Sequence, residues 1–267
     1  MEAGGEIPDR RMHINYRYVL HFAELQSAGA ADYTILDYGC GAAEVVIAGR
    51  ERGLNFFGAE LFYGGGSTRE MIEKNGLLGT VVREIRNGFL DFPDASFDLV
   101  INNQVFEHVE DLDRVLDEID RVLKTEGKLL SLFPSREVWR EGHCGIPFLH
   151  WFSKKSKLRY HYALALRKIG LGYNKGTKTS EQWVRDFLVW LDSYCFYRSQ
   201  RTILDSFRRH FRVMPVEEDY IQFRLRASRL RPLGPLAQWP VLEPLAKALF
   251  RRLGGLVILS TKRQGTN

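Results

Sequence analysis

Asp37, Gly39 and Gly41 fall within one short stretch, "ILDYGCGAAEVVIAGRERG", with Cys40 between the glycines. An apolar run that ends in an acid and two glycines before a helix-like segment brings a carboxylate and bare backbone N–H groups into one turn. Glu60 ends the next apolar run, "NFFGAE", at the place where a carboxylate can accept hydrogen bonds from both hydroxyls of a ribose. A dinucleotide fingerprint puts a small residue at position 44 and no acid ahead of the first glycine. Here Glu44 and Asp37 occupy those places and would repel a phosphate. A cofactor with a cationic amino-acid portion fits instead, its ammonium or sulfonium facing Asp37.

A second set of reactive side chains lies in "EVWREGHCGIPFLHW", which holds Glu141, His143 and His150 beside Trp139 and Trp151. Histidine is the side chain best placed to act as a base near neutral pH. His143, flanked by Gly142 and Gly145, is the first candidate and His150 the second; a ring held by local hydrogen bonds is the plainer alternative for each. Cys40, Cys144 and Cys195 are odd in number and lack C-x-x-C spacing, so neither a disulfide framework nor a metal site is expected.

These residues need a scaffold. Five β-rich runs, "YTILDYG", "NFFGAE", "GTVVREI", "FDLVINNQ" and "GKLLSLFP", alternate with helix-period segments, which predicts a parallel sheet with crossover helices. Between the last two, "DLDRVLDEIDRVLKTEG" puts Leu112, Val115, Leu116, Ile119, Val122 and Leu123 on one helical face, with Asp111 as cap and Gly127 as stop. Beyond Pro134 a long aromatic and basic stretch reads as an inserted cap over residues 136–198 within a single domain, 1–267. "SQRTILDSFRRHF" then reads as an amphipathic helix, and "VEEDYIQFRLRA" and "GGLVILSTKR" as two antiparallel edge strands. The fold class is α/β, a doubly wound, mostly parallel seven-stranded sheet.

The stretch "FPDASFDLVINNQVFEHVEDLDRVLDEIDRVLKTEGKLLSLFPS", taken with "DYGCG" and Glu60, resembles the class I S-adenosylmethionine-dependent methyltransferases, type 11-like, closely over residues 33–135. That resemblance implies a Rossmann-like methyltransferase with S-adenosyl-L-methionine as cofactor. In the family the loop matching "DYGCG" (Asp37, Gly39, Cys40, Gly41) holds the methionine part and the acid matching Glu60 the ribose. The turn after the fourth strand, with Asn102, Asn103 and Gln104 and the backbone of Val105, borders the methyl group. The chain departs from the pattern after its third strand, where an acid usually reads the adenine amino group. Arg86 and Asn87 stand there, and Asn87 is the substitute. Glu107 and His108 match the family's "EHV" element, with helix capping or loop shaping as the first reading and catalysis as the second. Cys144 is not needed as a nucleophile, since methyl transfer from this cofactor uses no covalent enzyme intermediate.

The implied reaction is methyl transfer to a small acceptor, with oxygen of a sugar-containing or aromatic molecule preferred. A nicotinamide-dependent oxidoreductase is the other enzyme reading, and Asp37 and Glu44 count against it. A cofactor-binding partner protein without catalysis is the reading from a different class. Tyr160, Tyr162, Trp183, Trp190 and Tyr197 among Lys and Arg residues suit sugar rings, aromatic acceptors or phosphate-bearing conjugates, although part of this content must be packing.

The net charge of +5, from 38 basic and 33 acidic side chains in 267 residues, fits an anionic acceptor or membrane surface but is too mild for nucleic acid. Solvated basic faces are the plainer reading. No run reaches the roughly 18 apolar residues that span a bilayer, and the start "MEAGGEIPDRR" lacks a leader's apolar segment, so the cytoplasm is the expected location. Residues 232–254, rich in proline and leucine, are expected to pack on the sheet, with peripheral membrane contact as the alternative.

Overall fold

The computed structural model describes residues 12–62, 67–173 and 176–263. The segment "MEAGGEIPDRR", on which the expectation about a leader rests, lies outside them. Five parallel strands come first: β1 (Thr34–Tyr38), β2 (Asn55–Glu60), β3 (Val82–Glu84), β4 (Phe97–Asn103) and β5 (Leu123–Phe133). β6 (Phe211–Pro215) and β7 (Leu256–Lys262) complete a seven-stranded sheet in the order β3-β2-β1-β4-β5-β7-β6, with β7 antiparallel to both β5 and β6. The order reverses between β1 and β4, so their carboxyl ends open a crevice where such sheets bind ligands.

Period-2 alternation sends successive strand residues to opposite faces, and each face is covered by helices. Helices α1 (Ile14–Ser27), α2 (Glu44–Glu51) and α3 (Ser67–Lys74) precede β3. On one face Val19, Leu20 and Val46 bury Ile35, Leu99 and Ile101. On the other, α4 (Leu112–Val122) and a later helix bury Leu36, Val100 and Leu129 beneath Leu116, Ile119 and Phe207. The Asp111 carboxylate accepts the Arg114 N–H at 3.1 Å, the cap the sequence predicts. The helix stops at Val122 rather than Gly127, because Leu123 already pairs with Phe97 as the start of β5.

The chain after β5 carries α5 (Lys157–Lys168) and α6 (Ser180–Tyr194) before α7 (Gln200–His210) returns to the sheet. These two helices share an apolar cluster of their own, in which Ala163, Trp183 and Leu191 meet Cys144, Ile146 and Leu149. Thr179 opens α6 with a reciprocal capping box to Gln182, which fixes where the helix begins.

One expectation fails in the last third. "VEEDYIQFRLRA" is not a strand but helix α8 (Glu217–Arg226). Tyr220 and Phe223, three apart, bury against α1, while three acids in its first turn and two arginines in its last complement the helix dipole. The edge strand is instead the preceding "FRVMP", where Pro215 is tolerated because only one side of β6 is paired. After the short α9 (Gly234–Ala237), α10 (Glu243–Leu253) has no fully buried residue and packs on the core through the partly buried Phe250. No helix among the described residues is long and apolar enough to cross a membrane.

Candidate active site

The turn after β1 is held open by glycine geometry. Gly39 and Gly41 have φ of +77° and +54°, and a Cβ on Gly39 would stand 2.3 Å from Val105 Cγ2. Only glycine lets the backbone pass this close to the wall supplied by the β4 turn. The Gly39 and Cys40 N–H groups both donate to Ala59 O, at 2.8 and 3.1 Å, which ties the loop to the end of β2. Glu60 then accepts from Gly41 N at 2.6 Å and from Leu61 N at 3.0 Å. Its carboxylate therefore sits inside the loop.

Two clefts meet at this loop. One, of about 540 Å³, is lined by Tyr38, Gly39, Gly41, Glu60, Ile85, Gly88, Gln104, Val105 and His108. The other, of about 360 Å³, has Asp37, Cys40, Asn103 and Gln104 beside His13, Asn15 and Tyr16 of the N-terminal segment. Thus Asp37, Gly39, Cys40, Gly41, Glu60, Asn103 and Gln104 come together as the sequence predicts. Asn103 Oδ1 is fixed by Asn15 Nδ2 at 3.1 Å, and Gln104, at φ +59°, donates its N–H to Leu132 O at 2.7 Å. Asn102 is fully buried behind them, with Oδ1 lacking a partner. Asn87 is placed differently: its carbonyl accepts from Arg114, and its neighbours Ile85 and Gly88 line the cleft rather than Asn87 itself.

Burial, and then the charge of Glu60, pushes the Asp37 carboxyl up to about 7. Glu60 is also raised by burial, although the Gly41 and Leu61 N–H bonds oppose this. Two carboxyls raised together in one crevice form a site that a cation would relax and a phosphate would strain. The residues present therefore fit S-adenosylmethionine: Asp37 and the loop at its methionine part, Glu60 at its ribose.

The second reactive cluster reaches the first cleft through His108. Glu141 accepts from His143 Nδ1 at 2.7 Å, from the Tyr197 hydroxyl at 2.7 Å and from the Cys144 N–H at 2.6 Å. Burial opposes its ionisation, but the His143 hydrogen bond and charge, followed by Tyr197 and Cys144, bring its carboxyl down to about 2. His143 is disfavoured as a cation by burial, yet Glu141 and then Glu107 raise it above its ordinary value. Its Nε2 faces His108 Nε2 at 3.2 Å, and His108 Nδ1 donates to Tyr194 O at 2.7 Å. Burial and the His143 charge lower His108, against the effect of that carbonyl.

A carbonyl and a carboxylate are acceptors only, so both Nδ1 atoms carry protons and the two Nε2 atoms point at each other. The pair is comfortable with one shared proton or with an outside donor between the rings. Glu107, fully buried beneath with one oxygen unpaired, is pushed up to about 7 by burial. Trp190 closes the side, with its ring 5.1 Å from that of His143.

His150 stands behind this cluster, with its ring 4.6 Å from that of Tyr197, and is not beside His108. It is buried, donates Nε2–H to Arg136 O at 3.1 Å and lines a separate cavity with Arg159, Asp192 and Tyr197. Burial raises Cys144 and Cys195 well above an ordinary thiol, so neither is a nucleophile. Sequence reasoning placed Tyr197 among the cap aromatics but missed its bond to Glu141, and it missed the pairing of His108 with His143. The signal available for the latter was the "EHV" element itself.

A glycine loop and two buried acids at the switch point of a doubly wound sheet, under a histidine pair, define a cofactor-dependent α/β enzyme. Residues 36–131 match the sequence-family model of a methyltransferase domain. Over those residues the chain carries a class I S-adenosylmethionine-dependent methyltransferase domain, whose cofactor is S-adenosylmethionine. Among solved structures it is similar to the YcgJ protein of Bacillus subtilis (16% identity, 95% of this chain and 100% of that one, TM-score 0.48). It is also similar to an S-adenosylmethionine-dependent methyltransferase from Mesorhizobium loti (16%, 91% and 98%, TM-score 0.47). A third is geranyl diphosphate C-methyltransferase from Streptomyces coelicolor A3(2) (16%, 91% and 74%, TM-score 0.45). No curated protein sequence matches the chain.

Proposed function

We propose that the enzyme methylates a hydroxyl oxygen on a small sugar-containing or aromatic acceptor, with His143 as the base and residues 136–198 as the cap that holds the acceptor. When bound, S-adenosylmethionine supplies an electrophilic methyl group on a sulfonium. The chain's own task is to align the hydroxyl and take its proton.

The observation that carries this reading is the chain Glu141–His143–His108, ending at a ring that lines the cofactor cleft. Glu141 holds the His143 ring by Nδ1 and leaves Nε2 as the proton acceptor. With the shared proton gone, two Nε2 lone pairs face each other, and a hydroxyl that donates to His143 relieves their repulsion while it loses its proton. A hydroxyl, a weak nucleophile until its proton is taken, is the acceptor this device suits best. Exposed Trp139, Phe148, Trp151 and Trp190 offer flat surfaces for a ring-bearing acceptor.

The test is turnover of a labelled cofactor with fractionated extracts, followed by location of the methyl group by mass spectrometry. His143→Ala should lower turnover by about a hundredfold while cofactor affinity, read by titration with S-adenosylhomocysteine, stays within a few fold. Unchanged turnover removes His143 from the mechanism, and a methyl on carbon or nitrogen overturns the acceptor assignment.

A further inference from the structure

The segment between α8 and β7 is built inside out. A surface helix normally turns its apolar stripe inward and its charges outward. In α10 the polar side is tied to the protein: Arg251 Nε meets the fully buried Glu217 at 2.7 Å, and Lys247 pairs with Glu218 at 3.4 Å and with Glu243. Phe250 is the residue that reaches the core, with its ring 5.4 Å from that of Tyr220. The leucines at i, i+4 and i+8 face solvent, with Leu245, Leu249 and Leu253 exposed by 65, 46 and 63%. The chain just before adds Trp239 at 63% and Val241 at 83%. Pro232, Pro235, Pro240 and Pro244 stiffen this stretch, so its apolar side chains are held out.

Charge says what would cover the face. Residues 224–253 contain seven Arg and Lys and the single acid Glu243, a net +6 that exceeds the +5 of the whole chain. The remainder of the protein is close to neutral. Two copies of such a face would repel each other, whereas an anionic surface would attract it. Apolar side chains held out among arginines, with Trp239 at the turn, match the chemistry of an acyl and headgroup boundary.

We propose that residues 224–253 form an interfacial docking face for an anionic lipid bilayer, into which Trp239, Val241, Leu245 and Leu249 insert while Arg226, Arg229, Arg231 and Arg252 meet the headgroups. The site stands apart from the acceptor's identity, because binding is read without turnover.

The experiment is flotation of the full chain with vesicles of phosphatidylcholine alone or with roughly 30 mol % phosphatidylglycerol. Partition should be at least about tenfold stronger onto the anionic vesicles and should weaken with salt. The triple variant Trp239→Ser, Val241→Ser, Leu245→Ser should lose about tenfold or more at an unchanged thermal midpoint, because all three side chains are exposed. Arg229→Gln with Arg231→Gln, which removes no apolar contact, should abolish the preference for anionic vesicles. Absence of binding to anionic vesicles, equal partition onto both kinds, or retention by the triple variant overturns the proposal. So does sedimentation of a dimer that the same substitutions dissociate.

Discussion

At the scale of single residues the decisive question is which group holds a proton at working pH. Glu141 raises His143, so the ring is a free base only above the ordinary histidine value of 6.5. The rate under subsaturating acceptor should therefore rise with pH along a limb centred above that value. Glu141→Gln removes the charge that holds the proton, leaving burial to lower the ring against the weaker effect of Glu107. The limb should then move to lower pH while the rate at its plateau falls about tenfold or more, since the ring is also less firmly oriented. A pH profile of kcat/KM for both proteins decides it, and an unmoved limb would show that Glu141 only shapes the loop. The acids Asp37 and Glu60 could be picked out from the sequence because each ends an apolar run. Tyr197 could not, since it reaches Glu141 from 56 positions away across the cap.

At the scale of elements, the cofactor loop depends on the meeting of two turns, after β1 and after β4. Gly39→Ala would push a methyl group to 2.3 Å from Val105 Cγ2 while keeping a φ of +77°. We expect a loss of about 1–3 kcal/mol in urea unfolding and a drop of tenfold or more in affinity for S-adenosylhomocysteine. Adding Val105→Ala should recover part of the stability, because it removes both Cγ contacts and leaves the backbone strain and a 3.0 Å approach to the Cβ at position 105. No recovery would mean that the strain alone accounts for the effect.

The same scale shows what pattern reading can reach. β1, β2, β4, β5 and α4 carry long uninterrupted periodicity and all five are present, although α4 ends at Val122 and β5 starts at Leu123, earlier than the sequence predicts. α8 does not, because "YIQFRL" alternates like a strand while its buried pair, Tyr220 and Phe223, follows the helical period. The acids before it and arginines after it were the overlooked signal. β6 is short, interrupted by Pro215 and half exposed, so its tertiary partner β7 decides its structure. The inverted face of α10 was hidden for a further reason: the leucine stripe is plain in the sequence, but its direction is set by the ion pair to Glu217, a residue of another helix.

For the whole molecule, stability and cofactor binding share the same protons. Asp37 and Glu107 are raised to about 7, so the folded protein holds protons that the unfolded chain releases near pH 4. The raised His143 acts in the same direction at higher pH. Stability therefore falls as pH rises from about 4 through 7, each carboxyl contributing up to about 4 kcal/mol across that window. Glu141, brought down to about 2, has the opposite sign, but its contribution is already complete above its unfolded value and does not change between pH 5.5 and 7.5. A cationic cofactor beside Asp37 favours the ionised carboxylate and should pull that group back down. Affinity for S-adenosylmethionine should then increase as pH rises from 5.5 to 7.5, with uptake of cofactor releasing a proton at the lower end. The rise in thermal midpoint on adding cofactor should be larger at pH 7.5 than at pH 5.5, and Asp37→Asn should both weaken binding and flatten that difference. Calorimetry in two buffers of unlike ionisation enthalpy measures the proton released. A pH-independent affinity with no proton release would mean that the cation is held elsewhere than at Asp37.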